Sequence, residues 1–396
     1  MKRNSEKYCC QLSECIRCSI LLCMVSGSMH AGTLRASLEG DGTNGESWPT
    51  AFTSVSDAIA ASASGDQIWV ASGTYNETLV LIPGISLYGG FSGTEGNDEF
   101  DLRDWQTNET NIDASGFYVS AVTGANHTVV DGFTVTGARA KEPFGASGGG
   151  FFCLGVEMSI RNCDIHSNWV LCHDSGLWCG SGGGIDVEDS RVLMENCRIH
   201  HNATSIGAGD GISVYTSSGQ SIVHMVDCLI YENRKEGLRA ASGRVTAQNC
   251  TFGLGNGGYD IVGSEGLCPV SLTNCIVRSS VDADYEIFYS NVPNQPGNGN
   301  IDEDPQWVDP ENGDYRLKLS SPCIDSGSTT GPATDLGGNP RPVDVLGIGR
   351  DGPGAYDMGC YEFQLNKADL NSDGQVNACD LFLFEDQWHE GEANGK

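Results

Sequence analysis

The clearest chemistry in the sequence lies near its C-terminal end, in the segment 369–380, which runs DLNSDGQVNACD. Oxygen-bearing side chains recur there at alternate positions, and a glycine stands sixth. This spacing is typical of a calcium-binding loop, in which the glycine permits a sharp turn and the oxygens surround the ion. The predicted Ca²⁺ ligands are Asp369, Asn371, Asp373, Gln375, Asn377 and Asp380, with Gln375 offering its backbone carbonyl.

A second set of candidate residues lies in mid-chain, partly in an insertion from Trp169 to Ser181 and partly on two strand positions expected to face outward. Aromatic faces stack on sugar rings, and an exposed carboxylate near a guanidinium could hold a sugar acid through Ca²⁺; long loops on rigid scaffolds often carry such sites. The alternative is a disulfide-pinned insertion that buries its own tryptophans beside ordinary solvated strand residues. The predicted substrate contacts are Trp169, His173, Asp174, Trp178, Asp186 and Arg239.

Two histidines, His166 and His200, and then Tyr231 occupy the same outward position in successive repeats. Stacked strands lie about 4.8 Å apart, so the two imidazoles are expected to be neighbours. A metal ion is one possible ligand for such a pair, but the sequence offers no evident third ligand. Solvated side chains are the simpler interpretation.

The elements that position all these side chains are repeats, each marked by an asparagine or aspartate followed by cysteine. Their spacing, roughly 20 to 35 residues, is in the range that indicates a solenoid. Apolar residues alternate on both sides of each pair, and the phase slips by one residue at the pair, which requires a turn of the chain. The first residue of each pair is therefore predicted in a tight, left-handed bend. The pairs are Asn162-Cys163, Asn196-Cys197, Asp227-Cys228, Asn249-Cys250 and Asn274-Cys275.

This pattern predicts an all-β fold, a single-stranded right-handed parallel β-helix with three strands per coil. Alternation along each strand separates buried from outward positions, counted from a glycine that opens the strand. One residue after the glycine, the expected buried side chains are Phe151, Ile185, Ile212, Leu238 and Tyr259. Two residues after it, the expected outward side chains are Phe152, Asp186, Ser213, Arg239 and Asp260.

The cysteines of the five pairs form a further buried column. Coils stacked about 4.8 Å apart place these β-carbons farther from one another than the roughly 3.8 Å of a disulfide. A line of side chains also lacks the convergence that a metal site needs. We therefore predict free, stacked thiols that act as small buried apolar groups.

The first 31 residues differ from the rest of the chain. Lys2, Arg3 and Lys7 precede a short apolar run from Ser19 to Val25, which predicts a cleaved secretory signal rather than a transmembrane helix. The formal net charge of −30 argues against nucleic acid and anionic membranes as partners, since both carry phosphate charge. We expect a protein that is secreted, extracellular or attached to the cell surface.

The remaining organisation follows from composition. A short amphipathic helix is expected at 52–61, where it would cap the open end of the solenoid. The segment before the calcium loop is rich in Asp, Pro and Gly and is expected to form capping turns. The predicted parts are a signal peptide at 1–31, the capped β-helix at 32–299, a C-terminal capping region at 300–363 and a calcium-loop segment at 364–396.

Three stretches resemble secreted pectate-lyase-like β-helix proteins. They are 47–93 (SWPTAFTSVSDAIAASASGDQIWVASGTYNETLVLIPGISLYGGFSG), 300–328, which contains NIDEDPQWVDPENGDYRL and SPCIDSGS, and 335–363, which contains DLGGNPRP and YDMGCYEF. The resemblance covers roughly residues 35 to 363. It implies a carbohydrate context, although fold does not determine reaction.

The segment 369–380 is similar to type I dockerin, whose repeats read D-x-N-x-D-G-x-V-N-x-x-D. This resemblance implies Ca²⁺ binding and a cohesin-like module as a partner. A dockerin normally carries two such repeats, whereas one is found here. The alternatives are a half-module and a simple calcium-stabilised clip.

Two function classes remain open from the sequence. The first is a protein that binds or processes extracellular polysaccharide, and as an enzyme it would be a polysaccharide lyase or a glycoside hydrolase. The second is a non-catalytic surface or adhesive β-helix. The Asp cluster and basic proton abstractor of pectate lyases find no residue-by-residue match, and neither do the paired aspartates of β-helix polygalacturonases.

Overall fold

The structure is a computed structural model of the 396-residue chain. It describes residues 31–141, 148–171, 180–205, 209–263, 270–282, 285–295, 297–345, 347–350 and 354–364. The predicted signal peptide, apart from its last residue, and the predicted calcium loop lie outside these residues. Among the described residues, no helix has the length and apolar character needed to cross a bilayer.

Three long sheets run the length of the solenoid. Eight successive coils each contribute one strand to each sheet in turn, and a further strand at either end belongs to sheet 1 alone. Sheet 1 contains β1 (Thr33–Ala36), β2 (Gln67–Ala71), β5 (Ser86–Phe91), β8 (Thr128–Asp131), β12 (Glu157–Arg161), β16 (Arg191–Glu195), β20 (Ile222–Val226), β23 (Arg244–Gln248), β26 (Val270–Thr273) and β29 (Tyr285–Phe288). Sheet 2 contains β3 (Gly73–Tyr75), β6 (Thr110–Asp113), β9 (Thr134–Thr136), β13 (Asp164–His166), β17 (Arg198–His200), β21 (Leu229–Tyr231), β24 (Thr251–Phe252) and β27 (Ile276–Val277). Sheet 3 contains β4 (Leu79–Val80), β7 (Val122–Thr123), β11 (Phe151–Leu154), β15 (Ile185–Glu188), β19 (Ile212–Tyr215), β22 (Glu236–Ala240), β25 (Tyr259–Gly263) and β28 (Ser280–Asp282).

Smaller elements complete the fold. A short sheet joins β10 (Arg139–Ala140), β14 (Trp169–Val170) and β18 (Ala203–Thr204), and β30 (Trp307–Asp309) pairs with β31 (Asp314–Leu317) as an antiparallel hairpin. The helical elements are α1 (Val55–Ala61) and two 3₁₀ turns at Phe100–Leu102 and Pro310–Asn312. Because every pairing between coils is parallel, the predicted parallel β-helix is confirmed.

The predicted bends between sheets 1 and 2 are confirmed. The five bend residues all have φ between 50° and 54°, the left-handed region that asparagine and aspartate tolerate better than other residues with a β-carbon. In the two preceding coils, the bend residues with positive φ are glycines, Gly90 and Gly132. The confirmed bends are Asn162, Asn196, Asp227, Asn249 and Asn274.

The register of the fifth coil differs from the prediction. Strand β25 pairs with β22 so that Ile261, and not Tyr259, continues the buried column of Leu238. Asp260 takes the place of the corner glycine, where it is buried and accepts hydrogen bonds from the backbone N–H groups of Arg278 and Ser279. Counting strand positions from the nearest glycine gave the wrong register here, because a hydrogen-bonded aspartate occupies the corner position that glycine occupies in the other coils.

A second asparagine column, which was not predicted from the sequence, lies at the far end of sheet 2. Asn202 Oδ1 accepts the backbone N–H of Asn168 at 3.1 Å, and Asn202 Nδ2 donates to the carbonyl of Ile165 at 2.8 Å. The pattern repeats at Asn233 and Asn256, so each coil is joined to the next by buried amides. These residues follow each bend by six or seven positions, a signal present in the sequence.

The predicted free thiols are confirmed for the described part of the chain, where Cys163, Cys197, Cys228, Cys250 and Cys275 are buried and unbonded. Each sulfur lies within 3.0 to 3.3 Å of the carbonyl two residues earlier in its own coil. Burial raises the pKa of the Cys163 thiol to about 12. The Cys163 thiol is therefore a neutral core group.

The predicted N-terminal helix is present but begins at Val55 rather than at Phe52. The Ser54 side chain caps it by accepting the N–H of Asp57, and Glu77 accepts the N–H of Val55 at 2.8 Å. Val55 and Ile59 are buried in the same core as the solenoid interior. Phe52 instead forms a parallel bridge with Ala36, before the helix.

A flanking segment (residues 305–345, 347–350 and 354–364) packs along the outer face of sheet 2. Its apolar side chains, among them Trp307, Tyr315 and Met358, form a second core with Leu229 and Ile276 of the solenoid. Outward positions of these coils, such as Leu229 and Ile276, are therefore buried, in contrast to those of earlier coils. The flanking segment thus determines how much of sheet 2 remains open.

Candidate functional site

Polar side chains follow one another along the outer face of sheet 2 in its earlier coils. Strand pairing places them in two columns, which end at the first coil that the flanking segment covers. The first column is Asn111, Thr134, Asp164 and Arg198, and the second is Asp113, Thr136, His166 and His200. One sheet face therefore presents carboxylate, guanidinium and imidazole groups within a few coils.

Three residues of the first column, Thr134, Asp164 and Arg198, line a cavity of about 230 Å³, which we call the sheet-2 groove. Trp105, Gln106 and Glu109 line it from the segment before β6, and Asp164 and Arg198 line it from the sheet. The remaining lining residues are Thr110, Gly132, Phe133 and Asn162. An aromatic ring thus shares one concave surface with charges of both signs.

Trp105 reaches the groove because two coils carry glycine at the bend. A side chain at Gly90 would come within 2.6 Å of the Trp105 Cα, and one at Gly132 within 3.0 Å of its Cβ. The segment is also held by Arg103, whose guanidinium lies 2.7 Å from the Asp131 carboxylate and over the ring of Tyr88. Trp105 is therefore placed by buried contacts on either side of it.

Asp164 and His200 form the central polar contact at the edge of the groove, with 2.9 Å between Oδ1 and Nε2. Burial alone would raise the pKa of Asp164, but the hydrogen bond from His200 and the charges of His200, His166 and Arg198 outweigh it. The pKa therefore lies below its ordinary value, and the carboxyl group is ionised at neutral pH.

Close polar contacts continue from His200 toward solvent. Its Nδ1 lies 2.7 Å from Nδ1 of His201, whose Nε2 lies 3.0 Å from the Glu232 carboxylate. The His201 side chain is 54% exposed. The chain Asp164–His200–His201–Glu232 is a path along which a proton could pass between the groove and water.

The imidazoles of His166 and His200 stack with ring centroids 5.0 Å apart, and Tyr231 stacks on His200 at 4.6 Å. In stacked rings the nitrogens lie in nearly parallel planes, so their lone pairs do not converge on one ion. Within the described residues, no group of three His, Cys, Asp or Glu side chains is arranged to hold a metal ion. The shared column is confirmed, and its geometry favours stacking over chelation.

Of the predicted substrate contacts, the three that the structure describes, Trp169, Asp186 and Arg239, do not line this groove. Trp169 lies on β14, with Arg139 and Arg234 at 5.9 and 5.7 Å from its ring. Asp186 was expected to be exposed but is 2% exposed, because Ser181 covers it and donates a hydrogen bond at 3.0 Å.

Arg239 shares the sheet 3 column of Asp186 two coils away, where it pairs with Glu236 at 2.8 Å. His173, Asp174 and Trp178 lie outside the described residues. The three described residues therefore divide between the short sheet and sheet 3.

Trp105, Glu109, Asp164 and Arg198 were not among the residues predicted from the sequence. Asp164 and Arg198 each follow a bend cysteine by one residue, so their shared column could have been found by extending the alignment. Trp105 and Glu109 carry no such signal, because they belong to a connection outside the repeats. Their approach to the sheet depends on the bend glycines.

Comparison with known proteins bears mainly on the fold. Residues 103–282 match the family model described as right handed beta helix region. No curated protein sequence matches the chain significantly. The right-handed parallel β-helix therefore rests on this match together with the strand order.

Several solved structures are similar to the chain at low identity. Pectate lyase Pel9A is 15% identical, covering 84% of this chain and 98% of that chain, with a TM-score of 0.38. The deglycosylated pectin methylesterase from Aspergillus niger is 17% identical, covering 68% and 88%, with a TM-score of 0.33. A rhamnogalacturonan lyase is 12% identical, covering 80% and 96%, with a TM-score of 0.31.

Proposed function

We propose that this protein is secreted and binds an extracellular polysaccharide in the sheet-2 groove. The observation that carries the proposal is that Trp105, Asp164 and Arg198 line one cavity on a rigid sheet. An indole face stacks on the apolar face of a sugar ring, while charged groups hydrogen-bond its hydroxyls. Sites of this kind combine a few fixed polar groups with an aromatic surface.

The charges of the groove favour a neutral sugar chain. Asp164 is ionised and Glu109 stands on the rim, while the nearest cation, Arg198, interacts with Asp164 itself. The whole chain carries a formal net charge of −30. A polyuronate would meet repulsion from both sources unless cations bridged it, whereas hydroxyl groups would not.

The chain from Asp164 to Glu232 supports acid–base chemistry as a further part of this proposal. His200 stands between a groove carboxylate and a solvent-exposed imidazole, so it could accept or return a proton. Cleavage of the bound polysaccharide would indicate an enzyme, whereas binding without cleavage would indicate a non-catalytic adhesive protein. We expect binding with little turnover.

Replacing Trp105 with alanine should weaken polysaccharide binding about tenfold or more, roughly 1.4 kcal/mol, because the stacking surface is lost. Titration calorimetry against neutral, pectic and alginate polysaccharides measures this directly. Trp169→Ala is the matched control, because Trp169 is a tryptophan of the insertion that lies outside the groove. Loss of binding in Trp169→Ala alone would move the site to the insertion.

The same panel tests turnover. Ultraviolet-absorbing unsaturated ends would identify a lyase, and new reducing ends without that absorbance would identify a hydrolase. Binding with neither product would establish a binding module. Absence of binding to every polysaccharide would overturn the proposed function.

We also propose that the segment 369–380 binds Ca²⁺ and that a cohesin-like module is its partner, as the dockerin resemblance implies. Without metal, Asp369, Asp373 and Asp380 should repel one another, and the ion would remove this repulsion. Limited proteolysis with chelator should begin after about residue 363, and Ca²⁺ should suppress it. The double variant Asp369→Ala, Asp373→Ala should be cut equally with or without Ca²⁺; protection of that variant would place the ion elsewhere.

A further inference from the structure

The outward column that lines the groove changes character along the solenoid. It is polar from Asn111 to Arg198 and continues in the next coils as Leu229, Thr251 and Ile276. Those last three side chains are each 1% exposed. The face that is open in the earlier coils is therefore closed from β21 onward.

The flanking segment makes this closure through close contacts. The N–H of Cys360 donates to Thr251 Oγ1 at 3.0 Å, and the Gly359 backbone lies so near Ile276 that a side chain there would approach its Cδ1 to 2.7 Å. Tyr315 packs on Tyr231 with ring centroids 5.2 Å apart. No sugar chain could pass beneath contacts of this kind.

Tyr361 stands at the boundary between the open and covered coils. Its hydroxyl lies 3.5 Å from Nη2 of Arg198, a residue that lines the groove. The segment that carries it is anchored by buried groups, including Arg341, 3.1 Å from Asp227. Tyr361 therefore forms a fixed end wall.

The opposite end of the column lies nearer the N-terminus of the solenoid. Asn111 pairs in register with Thr74, which is exposed. Polar outward side chains thus continue away from Tyr361, so that a linear ligand would have one blocked and one open direction.

From this asymmetry we infer that the sheet-2 groove takes one end of a neutral polysaccharide chain, and that the terminal sugar lies beside Arg198 and Tyr361. This inference rests on the proposed function, since it concerns the same groove. An internal stretch of polymer would have to run through the flanking segment, whereas a terminus can stop at the wall.

The test compares the same xylan, mannan and β-glucan chains cut to several defined lengths and offered at equal mass. If termini are bound, halving the mean chain length should double the binding capacity per gram. If internal stretches are bound, capacity per gram should stay constant above a minimum length, and this result would overturn the inference while leaving the proposed function intact.

Two controls separate the remaining outcomes. Trp105→Ala should remove the length-dependent binding, and persistence of that binding would place the end-binding site outside the groove and overturn the inference. Reducing the terminal aldehyde of the polysaccharide to an alditol shows which end is bound. Loss of binding would indicate the reducing end. An unchanged, length-dependent binding capacity would indicate the non-reducing end. Failure of wild-type protein to bind any length would overturn the proposed function and the inference together.

Discussion

Replacing Ile199 with aspartate should unfold the middle of the solenoid, at a cost of about 4 kcal/mol or more. Ile199 is fully buried on β17, in register between Ile165 of one neighbouring coil and Ile230 of the next. A carboxylate there would lose its hydration with no partner and would leave a gap in the apolar stack. Because each coil is held by its neighbours, adjacent coils should open as well. Urea denaturation followed by circular dichroism measures the loss.

Leu193→Asp is the matched control, because Leu193 lies on β16 of the same coil but faces outward and is partly exposed. Both variants place aspartate in a strand, so the strand-propensity penalty is shared. The control should lose much less stability than Ile199→Asp. Equal losses in the two variants would contradict the assignment of Ile199 to the dry interior.

Replacing Arg341 with methionine should cost about 1–3 kcal/mol and loosen the flanking segment, since it leaves the buried carboxyl group of Asp227 without its neighbouring guanidinium. Arg341 lies 3.1 Å from Asp227 and 3.7 Å from Glu362, and its side chain is fully buried. Limited proteolysis should then cut within the flanking segment while the solenoid stays folded. Arg316→Met is the matched control, because Arg316 pairs with Asp314 at the surface and an exposed pair contributes at most about 1 kcal/mol. Similar proteolysis of the two variants would argue against the buried pair as an anchor.

The same cluster makes stability depend on pH. Burial raises the pKa of Asp227 to about 8, although Arg341 opposes the rise, and burial also raises the pKa of Asp357 and Glu362. A carboxyl group with a higher pKa in the folded state contributes stability that is present below its unfolded pKa and is lost as pH rises through the folded pKa. The contribution of Asp227 should therefore fall between about pH 4 and pH 8. In Asp227→Asn the decline over this window should be smaller, and an unchanged decline would assign it to other groups.

Much of the scaffold could be predicted because its signals are local and repeat. The bend at Asn162 combines a residue type that tolerates positive φ with a slip in alternation, and both are visible in one coil. The buried thiol of Cys163 follows from the strand spacing alone. The fifth coil was misaligned because Asp260 stands where other coils have glycine, and its carboxylate is held there by hydrogen bonds from the backbone N–H groups of Arg278 and Ser279.

The groove could be predicted only in part. His166 and His200 were placed in one column from their repeat positions, and the structure stacks them there. The contact of Asp164 with His200 depends on side-chain direction across two coils. Asp186 was expected at the surface from alternation, which predicts the face of a strand but not whether another segment covers that face.

The amino-acid sequence by itself determined the solenoid, because alternation, bends and repeats act between residues close in the chain or at a constant spacing. The tertiary structure alone decided where that solenoid has a usable surface. Trp105 enters the groove from outside the repeats, and Tyr361 closes its end from a segment 163 residues beyond Arg198. Contacts between segments so far apart depend on how whole elements pack, and no short-range pattern in the chain records them.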